Sequence, residues 1–263
     1  MHKGAACAIL IAFLCAAHGL AAQGSRATPR KELTVPFAAG ETLQYDVSWS
    51  SYLTAGTATI RTVEKKPSYG STAYYIVAEG RPTPLVSKLY SLYYKVDTLL
   101  DVYSLLPQRS SVYSEEGKRH RMKTTRFDHP KQRAEFQVET ATLVKKTIGV
   151  SPVAQDPLGA LFVLRSIPLK EGEKITMPIS DSGNSFKVVI QAGGMETLKT
   201  GAGTLQTQRL SVTLPPGVGA RTLSVWLSTD AAHVPVKMTA QLPVGAFVLT
   251  LSSRGTPAPG RTP

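Results

Sequence analysis

TLQYDVSWS, residues 42–50, alternates apolar and polar side chains at every position. In an extended chain, successive side chains point to opposite faces, so this stretch has one apolar and one polar face. The apolar face carries Leu43, Tyr45, Val47 and Trp49. This period of two predicts a β-strand with one face in a core and the other towards water.

The same pattern recurs along most of the chain. The further strand-like segments are GTATIRTVEKK, TAYYIVAEG, SLYYKVDTLLD, QRSSVYSEE, KRHRMKTTRFD, RAEFQVET, EKITMPIS, SFKVVIQAGG, METLKT, GTLQTQRLSVTL, TLSVWLST, PVKMTAQL and GAFVLTLSS. Turn sequences such as FDHPKQ (127–132) and SDSGNS (180–185) separate them. Many short strands joined by such turns predict an all-β domain, built as a single curved antiparallel sheet, a β-roll or an incompletely closed barrel.

One segment, DPLGALFVLR (156–165), carries a helix signal instead. Asp156 can accept hydrogen bonds from the free amides of a first turn, and Pro157 suits the first helical position. The helix is apolar nearly all round, with Leu158, Leu161 and Phe162 among its residues, so it must be covered on most sides. We expect it either to plug the mouth of the barrel or to act as a lid over a cavity there.

The ends of the chain differ in composition from the middle. Residues 1–22 combine a basic start, a short apolar core and small residues, which is the pattern of a cleavable secretory signal peptide. We expect a disordered connector over 23–32, a single all-β domain over 33–253 and a disordered tail over 254–263. The expected location is the periplasm.

Composition narrows the chemistry. Both cysteines, Cys7 and Cys15, lie within the predicted signal, so the exported domain has no disulfide and no thiolate site. The formal net charge of +12 favours polyanionic partners. In a cell envelope these are anionic lipids, lipopolysaccharide and acidic glycans, and no nucleic acid is expected.

Catalytic and metal-binding patterns are missing from the sequence. The three histidines outside the signal, His120, His129 and His233, stand alone, and neither HExxH nor GxSxG occurs. The sequence therefore predicts a protein that is not an enzyme and has neither a metal nor a cofactor.

The most polar segment is GKRHRMKTTRFDHPKQR (117–133), which reads as a basic hairpin. Alternation along a strand puts Arg119, Arg121 and Lys123 on one face. We expect these three, together with Arg126, to bind an anionic ligand through phosphate or a similar group. The alternative is an edge hairpin whose charges only keep it soluble.

The order of several segments resembles the domain-of-unknown-function 3108 family of exported bacterial proteins. The segments are FAAGETLQYDVSW, AGTATI, FD, DPLGALFVLR, GTLQTQRLSV, VWLSTDAAHVPVKM and GAFVLTL. The resemblance implies a β-rich exported domain and assigns no catalytic residues. The last two segments also resemble the end of outer-membrane lipoprotein-sorting carriers, which are half-open barrels with helices in the mouth. Within VWLSTDAAHVPVKM, Trp226 is expected in the core.

Three functions remain open on the sequence. The first is a non-catalytic envelope protein that binds an amphipathic or anionic component such as lipid, lipopolysaccharide or acidic glycan, with peripheral membrane contact. The second is a scaffold or assembly protein that binds another envelope protein. The third is a hydrolase of envelope polymers. The oligomeric state does not follow from the sequence.

Overall fold

The alternating pattern of residues 42–50 forms the centre of one large antiparallel sheet. The structure is a computed structural model that describes residues 30–49, 53–89, 92–218, 222–242 and 245–255. The predicted signal peptide lies outside these residues, as do most of the predicted connector and tail.

Fourteen strands and two helices lie in the described ranges. The strands are β1 (Thr42–Trp49), β2 (Leu53–Ser68), β3 (Ser71–Pro82), β4 (Leu92–Asp101), β5 (Pro107–Glu116), β6 (Arg119–Asp128), β7 (Arg133–Glu139), β8 (Leu143–Gly149), β9 (Lys174–Asp181), β10 (Asn184–Thr200), β11 (Gly203–Thr213), β12 (Thr222–Ser228), β13 (Pro235–Leu242) and β14 (Gly245–Gly255). The helices are α1 (Pro84–Leu89) and α2 (Pro157–Ser166).

Neighbouring strands in the sheet are neighbours in sequence, apart from the pairing of β1 with β14. The order is β8-β7-β6-β5-β4-β3-β2-β1-β14-β13-β12-β11-β10-β9. Strands β8 and β9 are the two edges, so the sheet is not closed into a barrel. The prediction of an all-β domain with a curved, incompletely closed sheet is therefore confirmed.

Bulges interrupt the register of the central strands. Ser252 is the extra residue in β14, opposite the step from Gln44 to Tyr45 of β1, and Val63 is the extra residue in β2. A bulge bends its strand and increases the local twist, so these positions curl the sheet around its inner face. The curl brings the β9–β10 turn against the far half of the sheet, where Lys146 Nζ donates a hydrogen bond to Gly183 O at 3.0 Å.

The inner face of the curled sheet holds the core, and α2 lies between its two main parts. Leu158 and Phe162 of α2 belong to a cluster with residues of β1–β4, and Ala160 and Leu164 to a cluster with residues of β9–β12. The segment before α2 covers the edge of β9, because Gln155 N donates to Pro178 O and Gln155 O accepts from Ser180 N. This bridge covers the β9 edge at Ile179.

Four features differ from the sequence predictions. SFKVVIQAGG and METLKT, predicted as two strands, form the single strand β10, with a bulge between Ala192 and Met195. Helix α1 follows β3 where no helix was predicted, and Leu143–Gly149 forms the edge strand β8, which was not predicted either. Trp226 is buried, at 7% exposure, but on the outer face and outside the inner clusters, with Lys237 Nζ 5.0 Å from its ring and Glu196 accepting from its indole nitrogen. Its neighbours Val225 and Leu227 take the core positions.

Candidate functional site

Helix α2 begins at a buried carboxylate. Asp156 Oδ1 accepts hydrogen bonds from the amides of Leu158 and Gly159 at 3.0 and 3.1 Å, as predicted for an N-cap. Its Oδ2 accepts from Thr98 Oγ1 of β4 at 2.8 Å. Asp156 is completely buried, and desolvation raises the pKa of its carboxyl to about 6 although these hydrogen bonds oppose the shift.

The other end of α2 is held by a charged pair. Arg165 is fully buried, and its two terminal nitrogens each donate to a carboxylate oxygen of Glu41 at 2.7 Å. One of them also donates to Ala232 O, and Arg165 O lies 2.9 Å from Nδ1 of His233. A two-pronged contact of this kind fixes position and orientation together.

This pair joins three of the sequence segments that carry the family resemblance. Glu41 belongs to FAAGETLQYDVSW, Arg165 to DPLGALFVLR, and His233 to VWLSTDAAHVPVKM. Sequence reasoning missed the pair. The one signal for it was a basic residue at the end of an otherwise apolar helix, which must find a partner if it is buried.

The two sides of α2 face different surroundings. Phe162 packs edge-on against Phe37 with 4.7 Å between ring centroids and is 1% exposed. Leu158 lies in the same cluster. Leu161 is only partly buried and borders a cavity. The helix therefore fills the interior on one side and leaves space on the other.

The space beside Leu161 is an apolar cavity of about 320 Å³ between α2 and the inner face of β9–β13. We call it the apolar cavity. It lies at the lower end of the volume range of small-molecule pockets, about 300–1,000 Å³. Apart from Asp181 its lining is apolar: Pro157, Ala160, Leu161, Leu164, Met177, Ile179, Phe186, Val188, Ile190, Val212, Leu214, Val218, Leu223, Val225 and Met238.

A second cavity of about 290 Å³ adjoins the first at Pro157 and Asp181. We call it the polar cavity. It lies between the start of α2 and the inner face of β4–β7, and Asp156 and Lys123 both line it. Lys123 Nζ donates to Ser182 Oγ at 3.1 Å across the gap between the two halves of the sheet. An apolar space and a polar space thus meet at the start of one helix.

Both cavities lie towards one end of the sheet, which we call the mouth. Strand pairing places five residues at or near the strand ends there: Trp49, Tyr94, Arg119, Val144 and Phe247. The turns at Asp128–Arg133 and Ser228–Pro235 belong to the opposite end.

One wall of the mouth continues the apolar cavity. Met238 lines that cavity and pairs with Leu249 of β14. Phe247 lies two residues before Leu249 on the same face and stacks on Trp49, with ring centroids 6.3 Å apart. An apolar surface therefore runs from the cavity to the strand ends.

The opposite wall is basic. Lys123 lines the polar cavity, and β6 pairs with β5 without a bulge through Arg121 to Arg119. Because side chains alternate, Arg121 and Arg119 face the same side as Lys123. Neither arginine makes a salt bridge with any residue in the described part of the chain. The three cations predicted to share a face do so, and that face points inwards.

Arg126 is a correction to the predicted set. Its guanidinium lies 5.4 Å from the ring of Tyr69 on the outer face of the sheet. A residue three positions from Lys123 on a regular strand must point the other way. The basic surface at the mouth therefore consists of three of the four predicted residues.

The described residues contain no group of three or more histidine, cysteine or acidic side chains that could hold a metal ion. Within the same residues, neither helix has the length and hydropathy that crossing a bilayer requires.

Comparison with known proteins gives a family and a fold. The model of the family described as "Protein of unknown function (DUF3108)" matches residues 44–252. No curated protein matches the sequence.

Solved structures of similar architecture come from bacteria. A β-barrel-like protein of the domain of unknown function DUF1849 from Brucella abortus matches with a TM-score of 0.50 and 9% identity, over 82% of this chain and 97% of that one. This likeness shows the fold.

A protein from Bacteroides fragilis described as exported, with a YmcC-like fold, matches over 86% of this chain and 100% of that one, at 10% identity and a TM-score of 0.35. A protein from Parabacteroides distasonis described as a lipoprotein covers the same shares at 9% identity and a TM-score of 0.36. The resemblance to lipoprotein-sorting carriers stays a prediction.

Proposed function

The chain belongs to the family described as "Protein of unknown function (DUF3108)", and we propose that this member is a non-catalytic envelope protein that binds an amphipathic molecule with an anionic head. The apolar part of the ligand occupies the apolar cavity beside α2. The head meets the inward-facing cations Lys123, Arg121 and Arg119. Phospholipid, lipopolysaccharide and free fatty acid share this chemistry.

One observation carries the proposal: an apolar cavity and a cationic wall open at the same mouth. A packed core would fill the space beside Leu161, because protein interiors leave few voids larger than a water molecule. Cations that served only solubility would face water on the outer side of the sheet, as Arg126 does. The combination matches the two halves of an amphiphile.

The proposed location of the protein in the cell rests on residues 1–22, the predicted signal peptide. The features of residues 1–22 support export, and we place the protein in the periplasm on that basis. The membranes that border this compartment contain anionic amphiphiles such as phosphatidylglycerol and lipopolysaccharide. Binding of this kind needs neither a cofactor nor a catalytic group.

The test is displacement of a fluorescent fatty acid from the purified protein by oleate or by neutral oleyl alcohol. Leu161→Trp fills the apolar cavity, and we expect it to weaken binding of both competitors by about tenfold. Val189→Trp is the matched control, because Val189 lies on the outer face of β10 between the core residues Val188 and Ile190. It should leave both affinities unchanged.

Charge reversal separates the head from the chain. Arg121→Glu should weaken oleate binding and spare oleyl alcohol, and the loss should shrink as salt rises because screening weakens exposed charges. Arg126→Glu makes the same change on the outer face and should have no effect. Equal losses in the two arginine variants, or no binding of the fluorescent probe by the unmodified protein, would refute the proposal.

A further inference from the structure

Helix α1 lies on the rim of the mouth. It follows β3, whose last residue Pro82 pairs with Gly56 near the start of β2, and it precedes β4. The start of β2 pairs with Trp49, and the start of β4 pairs with Glu116 at the end of β5. The strand ends that flank α1 are therefore the strand ends that form the mouth.

The rim exposes apolar side chains. Leu85 of α1 is 65% exposed, more than any other large apolar side chain in the described ranges. Leu143 and Val144 at the start of β8 are more than half exposed, and Trp49 is 41% exposed. Single exposed apolar residues are ordinary, and others such as Val153 lie at the opposite end, so what distinguishes this rim is its combination of apolar residues with basic ones.

The same rim carries positive charge. Lys88 lies in the last turn of α1, three residues from Leu85, and is exposed. Arg119 and Arg121 follow along the rim at the start of β6. Basic residues beside exposed apolar ones complement a surface with anionic headgroups over an apolar interior.

We propose that this rim, formed by α1 and the strand ends of the mouth, docks on an anionic phospholipid bilayer with Leu85 entering the headgroup region. Docking in this orientation sets the mouth against the membrane, so that an amphiphile can pass between bilayer and cavity without crossing water. The proposal goes beyond ligand binding, since the rim would bind a bilayer whether or not the cavity accepts a ligand.

The test is sedimentation of the protein with vesicles of phosphatidylethanolamine and phosphatidylglycerol, compared with vesicles of phosphatidylcholine alone. All variants are purified from the same envelope fraction, so that any processing of residues 1–22 is identical. Leu85→Asp should weaken binding to the anionic vesicles by about tenfold. Lys88→Glu should weaken it by at least about fivefold, and this loss should fade at high salt.

Matched controls lie at the opposite end of the sheet. Val153 is 56% exposed in the segment after β8, and Lys174 is exposed at the start of β9. Val153→Asp and Lys174→Glu make the same chemical changes away from the mouth and should leave vesicle binding unchanged. Circular dichroism and unfolding temperature confirm that each variant is folded.

The outcomes separate this proposal from the proposed function. Leu85→Asp should bind the fluorescent fatty acid normally, and Leu161→Trp should bind vesicles normally. Vesicle binding that is equally strong for Leu85→Asp and the unmodified protein would overturn the docking proposal and leave ligand binding intact. A change of molecular mass with Leu85→Asp, without a change in vesicle binding, would assign the rim to a second copy of the chain and overturn it as well.

Discussion

The carboxyl of Asp156 ties the start of α2 to β4 and should make stability depend on pH. Its pKa is raised to about 6 because burial disfavours the charged form, while in the unfolded chain it titrates near 3.8. Between these values the folded state holds a proton that the unfolded state has lost. The contribution to the free energy of unfolding is therefore fully present below about pH 4 and is lost as pH rises through 6.

Asp156→Asn tests this titration. Asparagine can still cap the helix, but it cannot ionise. The difference in free energy of unfolding between the two proteins should change by up to about 3 kcal/mol between pH 4 and pH 7, in favour of the variant at the higher pH. Denaturant unfolding across this range measures it. Parallel pH profiles for the two proteins would show that Asp156 does not titrate there.

For individual residues, the sequence predicted contacts between near neighbours in the chain and missed contacts between distant residues. The Asp156 cap was predictable because its partners, Leu158 and Gly159, lie two and three positions away. The pair of Arg165 with Glu41 joins residues 124 positions apart, and no local pattern sets that distance. A buried charge must find a partner, but the fold decides which one.

Among the elements, α2 has one side built as core and the other built as a cavity wall. Phe162→Ala should lower the free energy of unfolding by about 3–5 kcal/mol, because it empties a packed site against Phe37. Leu161→Ala should cost less than about 2 kcal/mol, since part of its side chain already borders open space. Urea unfolding of both variants measures the two values.

Equal and small losses for the two variants would favour a lid that opens as a unit, because a loosely covered helix loses little when either side chain is shortened. A large loss for Phe162→Ala with a small one for Leu161→Ala would favour a fixed plug with a pocket beside it. Under that result, a ligand would enter past Leu161 while α2 stays in place.

The elements that sequence reasoning missed share a physical cause. The six residues of α1, PLVSKL, are too few to show a helical period. Strand β8, LVKKTIG, lacks the alternation of a half-buried strand because all its side chains but Ile148 are exposed at the edge of the sheet. Periodicity reports burial on one face, so elements without such a face leave no signal.

For the whole molecule, alternation predicts which residues share a face but not which face is inside. Arg119, Arg121 and Lys123 were expected together, and a free hairpin would have shown them to water. The curl of the sheet turns them towards the mouth, and that curl depends on bulges and on the long-range pairing of β1 with β14. The sequence therefore predicted the fold class and most of the strands. The amphipathic mouth depends on how the open sheet curls, which local patterns do not encode.

The two edges of the sheet are the places where the molecule should open first. No strand ladder joins the two edges. Side-chain contacts hold them near each other, among them the hydrogen bond that the Lys146 ammonium group donates to the carbonyl of Gly183.

Lys146→Met removes that hydrogen bond, so amide hydrogen exchange in β8 and in the β9–β10 turn should accelerate by about twofold to tenfold. Lys145→Met is the control, because Lys145 is exposed on the other face of β8 and makes no such contact with the described residues. Exchange in β1 and β14 should stay slow in both variants, since each is paired on both sides. If β1 and β14 accelerated together with the edges in Lys146→Met, the sheet would be unfolding as a single unit, and the mouth could not widen for a ligand without loss of the fold.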